Sequence, residues 1–182
     1  MKYSRQNIID ILLKSYVAYY NITDYGNERE PLRALCEYYE HAEKYMVSRK
    51  VSLWTADSEE FIYLFDVPRL TPEIFEACKK TAYEDGMDRL HIGPGHMYSY
   101  ITPIIVCDTC DEEALKAIKK CHIYKSFRFS LHGWMDFHAA AVIGDSDRIE
   151  SNRAGRSTAK ILKKVLYSKK RKGEFVRIHC YY

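Results

Sequence analysis

Arg128, His132, Asp136 and His138 crowd one short segment, and all four are side chains that acid–base chemistry uses. An aspartate beside a histidine orients a general base, and an arginine holds an anion. The segment also alternates. In residues 124–132, Phe127, Phe129 and Leu131 interleave with Ser126, Arg128, Ser130 and His132. In residues 135–143, Met135, Phe137, Ala139, Ala141 and Ile143 interleave with Asp136, His138, Ala140 and Val142. A period of two predicts a β-hairpin with one apolar face. A three-residue loop, His132-Gly133-Trp134, sets Leu131 against Met135 and Phe129 against Phe137; a two-residue loop would set Phe129 against Asp136 and bury a carboxylate. The hairpin then carries Ser130 opposite Asp136 and Arg128 opposite His138 on one polar face, with His132 at the loop. That face is the candidate site of a small hydrolase-like enzyme. A solvated sheet face with a cross-strand ion pair, worth well under about 1 kcal/mol, accounts for the same residues, and the sequence supplies no paired nucleophile.

A second constellation is Cys107-Asp108-Thr109-Cys110, placed where a strand turns into a helix. A helix N-terminus favours a thiolate there, as a dithiol redox protein requires. Asp108, Asp111, Glu112 and Glu113 oppose it, because like charge disfavours the anion. Zinc on Cys107, Cys110, Cys121 and His122 fails on geometry. Ten residues of helix span about 15 Å, whereas the ligands of one zinc ion lie about 2.0–2.3 Å from it. Neither a metal nor a cofactor is expected. His91 and His96 bracket Gly93-Pro94-Gly95 without the spacing of a phosphate-binding motif, and Gly155-Arg156-Ser157-Thr158 has arginine where a phosphate loop needs lysine.

Charge gives the strongest global signal. Residues 1–150 hold 18 Lys and Arg against 24 Asp and Glu, while residues 151–182 hold 10 against Glu174 alone. Arg153, Arg156, Lys160, Lys163 and Lys164 make a basic helix face, and Lys169–Lys172 extend it. Such a face attracts an anionic ligand or nucleic acid through counterion release. It serves equally as a solvated face, or as one that pairs with the acidic remainder of a neighbouring copy in a homo-oligomer.

The elements that position these residues follow from caps and periodicity. Ser4 caps a helix carrying Ile8, Ile9, Leu12, Leu13, Tyr16 and Tyr20 on one face. Residues 23–31 are a loop, and residues 32–45 fit helix or strand equally. Residues 45–54 and 60–66 read as strands joined around Ala56-Asp57-Ser58. Thr71-Pro72 starts a helix that should stop near Gly86. Residues 97–107 are an apolar strand, and Thr109 with Glu112 forms a capping box for the next helix. Ser151 or Asn152 caps the basic helix, and residues 168–182 form a basic tail with a last strand. That order predicts a single α+β domain over residues 1–182, with a mixed, mainly antiparallel sheet and packed helices. The chain has 182 residues and 47% hydrophobic composition, enough for a core without disulfide staples. Sixteen tyrosines suit rims and sheet faces. Without a secretion signal or an apolar run of about 18 residues, the chain reads as cytoplasmic, with its six cysteines reduced and no place in a membrane.

Glu43-Lys44-Tyr45, His96-Met97-Tyr98, His132-Gly133-Trp134 and Asn152 with Gly155 resemble segments of a family of small, uncharacterised bacterial proteins, over roughly residues 36–164. The resemblance implies a free-standing bacterial protein and transfers no catalytic residue. Three functions therefore stand as expectations: a binding or regulatory module for an anionic or protein partner, a hydrolase-like enzyme on the hairpin, and a dithiol protein through Cys107 and Cys110.

Overall fold

Two apolar runs, residues 61–67 and 101–107, are too continuous to alternate, and they become the middle of the sheet. In the computed structural model, which describes residues 3–45 and 52–168, strands β3 (Ser52–Leu70) and β4 (His96–Cys110) run parallel. Both faces of this pair are covered, which is why neither strand shows a polar side. The crossover between them is helix α2 (Pro72–Arg89), opened by the Thr71 hydroxyl accepting from the Ile74 N–H at 3.3 Å. The helix runs past Gly86 rather than stopping there. A Cβ at Gly86 would lie 2.7 Å from Ile101 Cδ1, so this glycine permits close helix–sheet packing instead of ending the helix.

Residues 32–45, equally helix or strand by pattern, form strand β2 (Leu32–Tyr45), antiparallel to β3, with β1 (Asn21–Asp24) outside it. The connection from β2 to β3 falls at residues 46–51, outside the described residues. It does not fall at Ala56-Asp57-Ser58, which pairs within the ladder. After β4 come helix α3 (Glu112–Lys120), strands β5 (Tyr124–Ser126), β6 (Trp134–Phe137), β7 (Ala140–Ile143) and β8 (Arg148–Ser151), and helix α4 (Arg156–Tyr167). The α3 N-cap is Asp111, without a side-chain cap bond; Thr109 still belongs to β4, so the expected capping box does not form.

The expected hairpin over residues 124–143 is corrected. β5 and β6 do pair antiparallel, but with Ser126 opposite Trp134, Lys125 opposite Met135 and Tyr124 opposite Asp136. Residues 127–133 leave the sheet as an excursion in which Arg128, Phe129 and Ser130 all take positive φ. Phe129 and Leu131 are therefore not core: they are 99% and 78% exposed. β6 and β7 instead line one edge of β4 end to end, both parallel to it, with Asp136 beside Tyr100 and Ala140 beside Ile104. A parallel neighbour, invisible to local alternation, decided the pairing.

The strand order is β1-β2-β3-β4-β6-β5, with β7 also on β4 and β8 on β7. Four of the seven ladders among the described residues are antiparallel, so the fold is the expected single α+β domain with a mixed sheet. One core packs α2 and α3 on Phe61, Tyr63, Phe65, Ile101 and Ile105. A second packs α1 (Arg5–Tyr16), capped by Ser4, and α4 on Ile62, Leu64, Ile104, Val106 and Val142. Among the described residues no helix is long and apolar enough to cross a membrane. The tail and last strand expected over residues 168–182 lie outside the described residues, apart from Ser168.

Candidate functional site

Helix α4 sorts its residues by face, as a 3.6-residue period requires. Thr158, Leu162 and Leu166 are buried against the sheet and α1. Arg156, Lys160, Lys163 and Lys164 occupy the opposite face and are exposed, as is Arg153 just before the helix. Its N-cap is Gly155 rather than Ser151 or Asn152; the Asn152 side chain contributes differently, accepting from the Gly155 N–H at 2.7 Å. Between α4 and β8 runs a groove of about 310 Å³, lined by Asp147, Arg148, Ile149, Lys160, Lys163 and Tyr167 among others. Lys160 and Lys163 thus converge with Arg148 from the sheet edge, a residue the sequence reading did not join to them. Arg148 donates to Glu150 at 2.7 Å, and Lys119 lies 3.2 Å from the other Glu150 oxygen. Burial works against ionising Glu150, but those two partners outweigh it and hold its carboxyl below the usual range. Among the described residues no carboxylate pairs with Arg153, Arg156, Lys160, Lys163 or Lys164.

Of the four acid–base candidates, Asp136 and His138 come together and the others do not join them. His138 Nε2 is 3.9 Å from Asp136 Oδ2, too long for a hydrogen bond. The His138 ring is buried and stacks on Tyr100, with centroids 4.3 Å apart. Burial lowers its pKa, with Asp136 pulling the other way. Arg128 is exposed in the excursion, and His132 offers its carbonyl to His96 Nδ1 at 2.7 Å. Arg128 opposite His138 and Ser130 opposite Asp136, as expected of the hairpin, are not formed.

Cys107 is buried and Cys110 half-buried.

Residues 4–164 match the family described as a domain of unknown function (DUF8052). The chain belongs to that family. Comparison with curated proteins and with solved structures finds no match. The DUF8052 match starts at the α1 cap, well before the segments around Tyr45 and His96 that suggested a family. It ends at Lys164, so Arg153 to Lys164 fall inside the family domain and Lys169–Lys172 beyond it.

One polar cluster of this DUF8052 domain escaped the sequence reading. Glu59 is buried on β3, and its Oε1 is 2.7 Å from His91 Nδ1. Its Oε2 accepts from the Ser99 hydroxyl at 3.1 Å, and Ser99 Oγ is 2.7 Å from His96 Nε2. His96 Nδ1 must donate to the His132 carbonyl, because a carbonyl only accepts. The Ser99 hydroxyl thus bridges the Glu59 carboxyl and the His96 ring. Ser99 has no exposed surface, so it clasps the strands instead of meeting a substrate. The clasp depends on a bulge: Asp57 pairs with His96 but Ser58 with Tyr98, leaving Met97 as the extra residue. The bulge puts His96 and Ser99 on one face, although three residues apart on a regular strand they would oppose.

Proposed function

We propose that this domain is a cytoplasmic binding or regulatory module that engages nucleic acid through the exposed face of α4 and the groove between α4 and β8. The observation that carries the reading is the division of α4 itself. Its apolar side faces the core, while its four basic side chains, with Arg153 just before the helix, stand in solvent with no described carboxylate paired to them. Arg148, Lys160 and Lys163 give the face a concave centre rather than a flat charge. Binding then comes from phosphate neutralisation and counterion release, with little base discrimination.

The hydrolase-like alternative has less support. Its base would be a buried histidine without a hydrogen bond to its aspartate, and Arg128 and His132 do not complete the set. Among the described pockets none is lined by Asp136 or His138.

The test is fluorescence anisotropy of a labelled DNA duplex, titrated at several salt concentrations against the full chain and against Lys160→Glu/Lys163→Glu. The expected result is binding whose log affinity falls linearly with log salt, by about 0.9 per phosphate neutralised, and a shallower slope in the variant. Duplex affinity that is equal for the two proteins at every salt concentration would end the proposal.

A further inference from the structure

The Cys107–Cys110 pair is not absorbed by an anion-binding face, and its local geometry is unusual for a strand. Residues three apart on a regular strand sit about 10 Å apart and point to opposite faces. Here the β3–β4 ladder omits the Pro68–Asp108 step, pairing Val67 with Cys107 and resuming at Arg69–Thr109 and Leu70–Cys110. Pro68 has no N–H to give to a ladder. Past that break both strands turn back to the same side. Val67 and Leu70 are buried in the core beneath α2 and α3, Cys107 belongs to that core too, and Cys110 packs against it. As thiols, Cys107 Sγ–H points to the Val142 carbonyl at 3.7 Å and Cys110 Sγ–H to the Asp111 carbonyl at 3.5 Å. Cys110 immediately precedes the α3 N-cap.

We propose that Cys107 and Cys110 form a reversible disulfide by exchange with a low-molecular-weight disulfide, Cys110 attacking and Cys107 resolving. The Cys110 thiolate attacks one sulfur of the oxidant and expels a thiolate, leaving a mixed disulfide. Cys107 then loses its proton to solvent and attacks the Cys110 sulfur, expelling the second thiolate. Two protein thiols are oxidised by two electrons, and one small disulfide is reduced to two thiols. Accessibility assigns the roles, because Cys110 has exposed surface and Cys107 has none. Charge agrees. Interaction with Cys107 favours the Cys110 thiolate and lowers the Cys110 pKa, burial opposes it, Asp111 and Glu112 oppose it further, and Arg148 assists. Cys107 is raised by its interaction with Cys110, by burial and by Asp108, with Arg5 acting against. Of the other described cysteines, burial pushes Cys36 and Cys78 up to about 12 and raises Cys121 as well.

The experiment is incubation of the reduced full chain with oxidised glutathione under native conditions, then alkylation of the remaining thiols and peptide mass mapping. The wild type is expected to yield a Cys107–Cys110 disulfide with no lasting glutathione adduct. Cys107→Ser is expected to trap glutathione on Cys110, which then reacts about tenfold or more faster than Cys121. Cys107→Ala runs in parallel, in case a hydroxyl in the core unfolds the serine variant. Should neither variant fold, the wild-type map alone decides. Overturning results are a wild type that keeps glutathione on Cys110 or leaves both thiols alkylatable, or a folded variant in which Cys110 reacts no faster than Cys121.

Discussion

The ring of His138 lies on the ring of Tyr100, 4.3 Å between centroids and 27° between planes, with both residues on the sheet face that α1 and α4 partly cover. That packing holds His138 in a site where burial disfavours its charged form, with Asp136 only partly offsetting it. The folded pKa is therefore below the unfolded value of about 6.5. Below that value the unfolded chain binds the proton more readily, so stability is full above about pH 6.5 and falls as pH drops towards the lowered folded value. His138→Phe keeps the ring contact and removes the proton site. Its melting temperature should decline less than the wild type's between about pH 6.5 and 5. Equal declines in the two proteins would show that His138 titrates normally.

Glu60 makes the opposite prediction. It is buried on β3, with Oε2 accepting from the Tyr20 hydroxyl at 2.6 Å and Oε1 from Thr102 at 3.1 Å. Burial raises its pKa, and the two hydrogen bonds restrain the rise without cancelling it. Its folded state thus holds a proton more tightly than the unfolded chain. The contribution to stability is complete below the unfolded value of about 4.3 and is lost as pH rises through the folded one. Glu60→Gln carries no charge and keeps groups for both hydroxyls. Urea denaturation at pH 8 should show the variant more stable by about 1–2 kcal/mol, with the difference gone near pH 4. A variant less stable at pH 8 would mean that the ionised carboxylate earns its place.

These two buried groups also mark where sequence reading stops. Helices α1, α2 and α4 were legible, because Ser4 and Thr71-Pro72 are cap signals and the apolar stripes have a helical period. The basic face was legible for the same reason: a helix with one apolar side must present its lysines on the other. The segment 124–143 was misread because alternation assumes one dry and one wet face. Trp134–Ile143 follows β4 in parallel, and Ala140, Ala141, Val142 and Ile143 are all buried. The Glu59–Ser99–His96 clasp was illegible because a bulge at Met97 sets its facing, and nothing local to His96 encodes the partner strand. Arg148 was missed for a similar reason, since β8 meets α4 only after the chain has turned back.

Gly133 should tolerate no side chain. Its φ is +68°, and a Cβ would stand 2.3 Å from the Met97 carbonyl oxygen and 2.7 Å from His96 Nδ1. Gly133→Ala therefore strains the backbone and pushes on the hydrogen bond between His96 and His132, and we expect a loss of about 2–4 kcal/mol in chemical denaturation. Gly93→Ala is the control, because a Cβ there meets nothing within 4 Å and φ is unrestrictive. Similar losses at the two positions would assign the effect to glycine content rather than to this contact.

Arg156 lets stability and binding be separated. It is the first residue of α4, where the exposed N–H groups present the positive end of the helix dipole, and the first turn contains no acid. A cation there is unfavourable for the helix. Arg156→Glu should raise folding stability by about 0.3–1 kcal/mol, as expected for an anion at a helix N-terminus. If the α4 face binds nucleic acid, the same substitution should weaken duplex affinity at low salt and flatten its salt dependence. Denaturation and anisotropy, measured on one preparation, should move in opposite directions. A gain in stability with duplex affinity unchanged would leave Arg156 outside the binding face, and a loss of stability would mean that its guanidinium has a structural partner that outweighs the dipole.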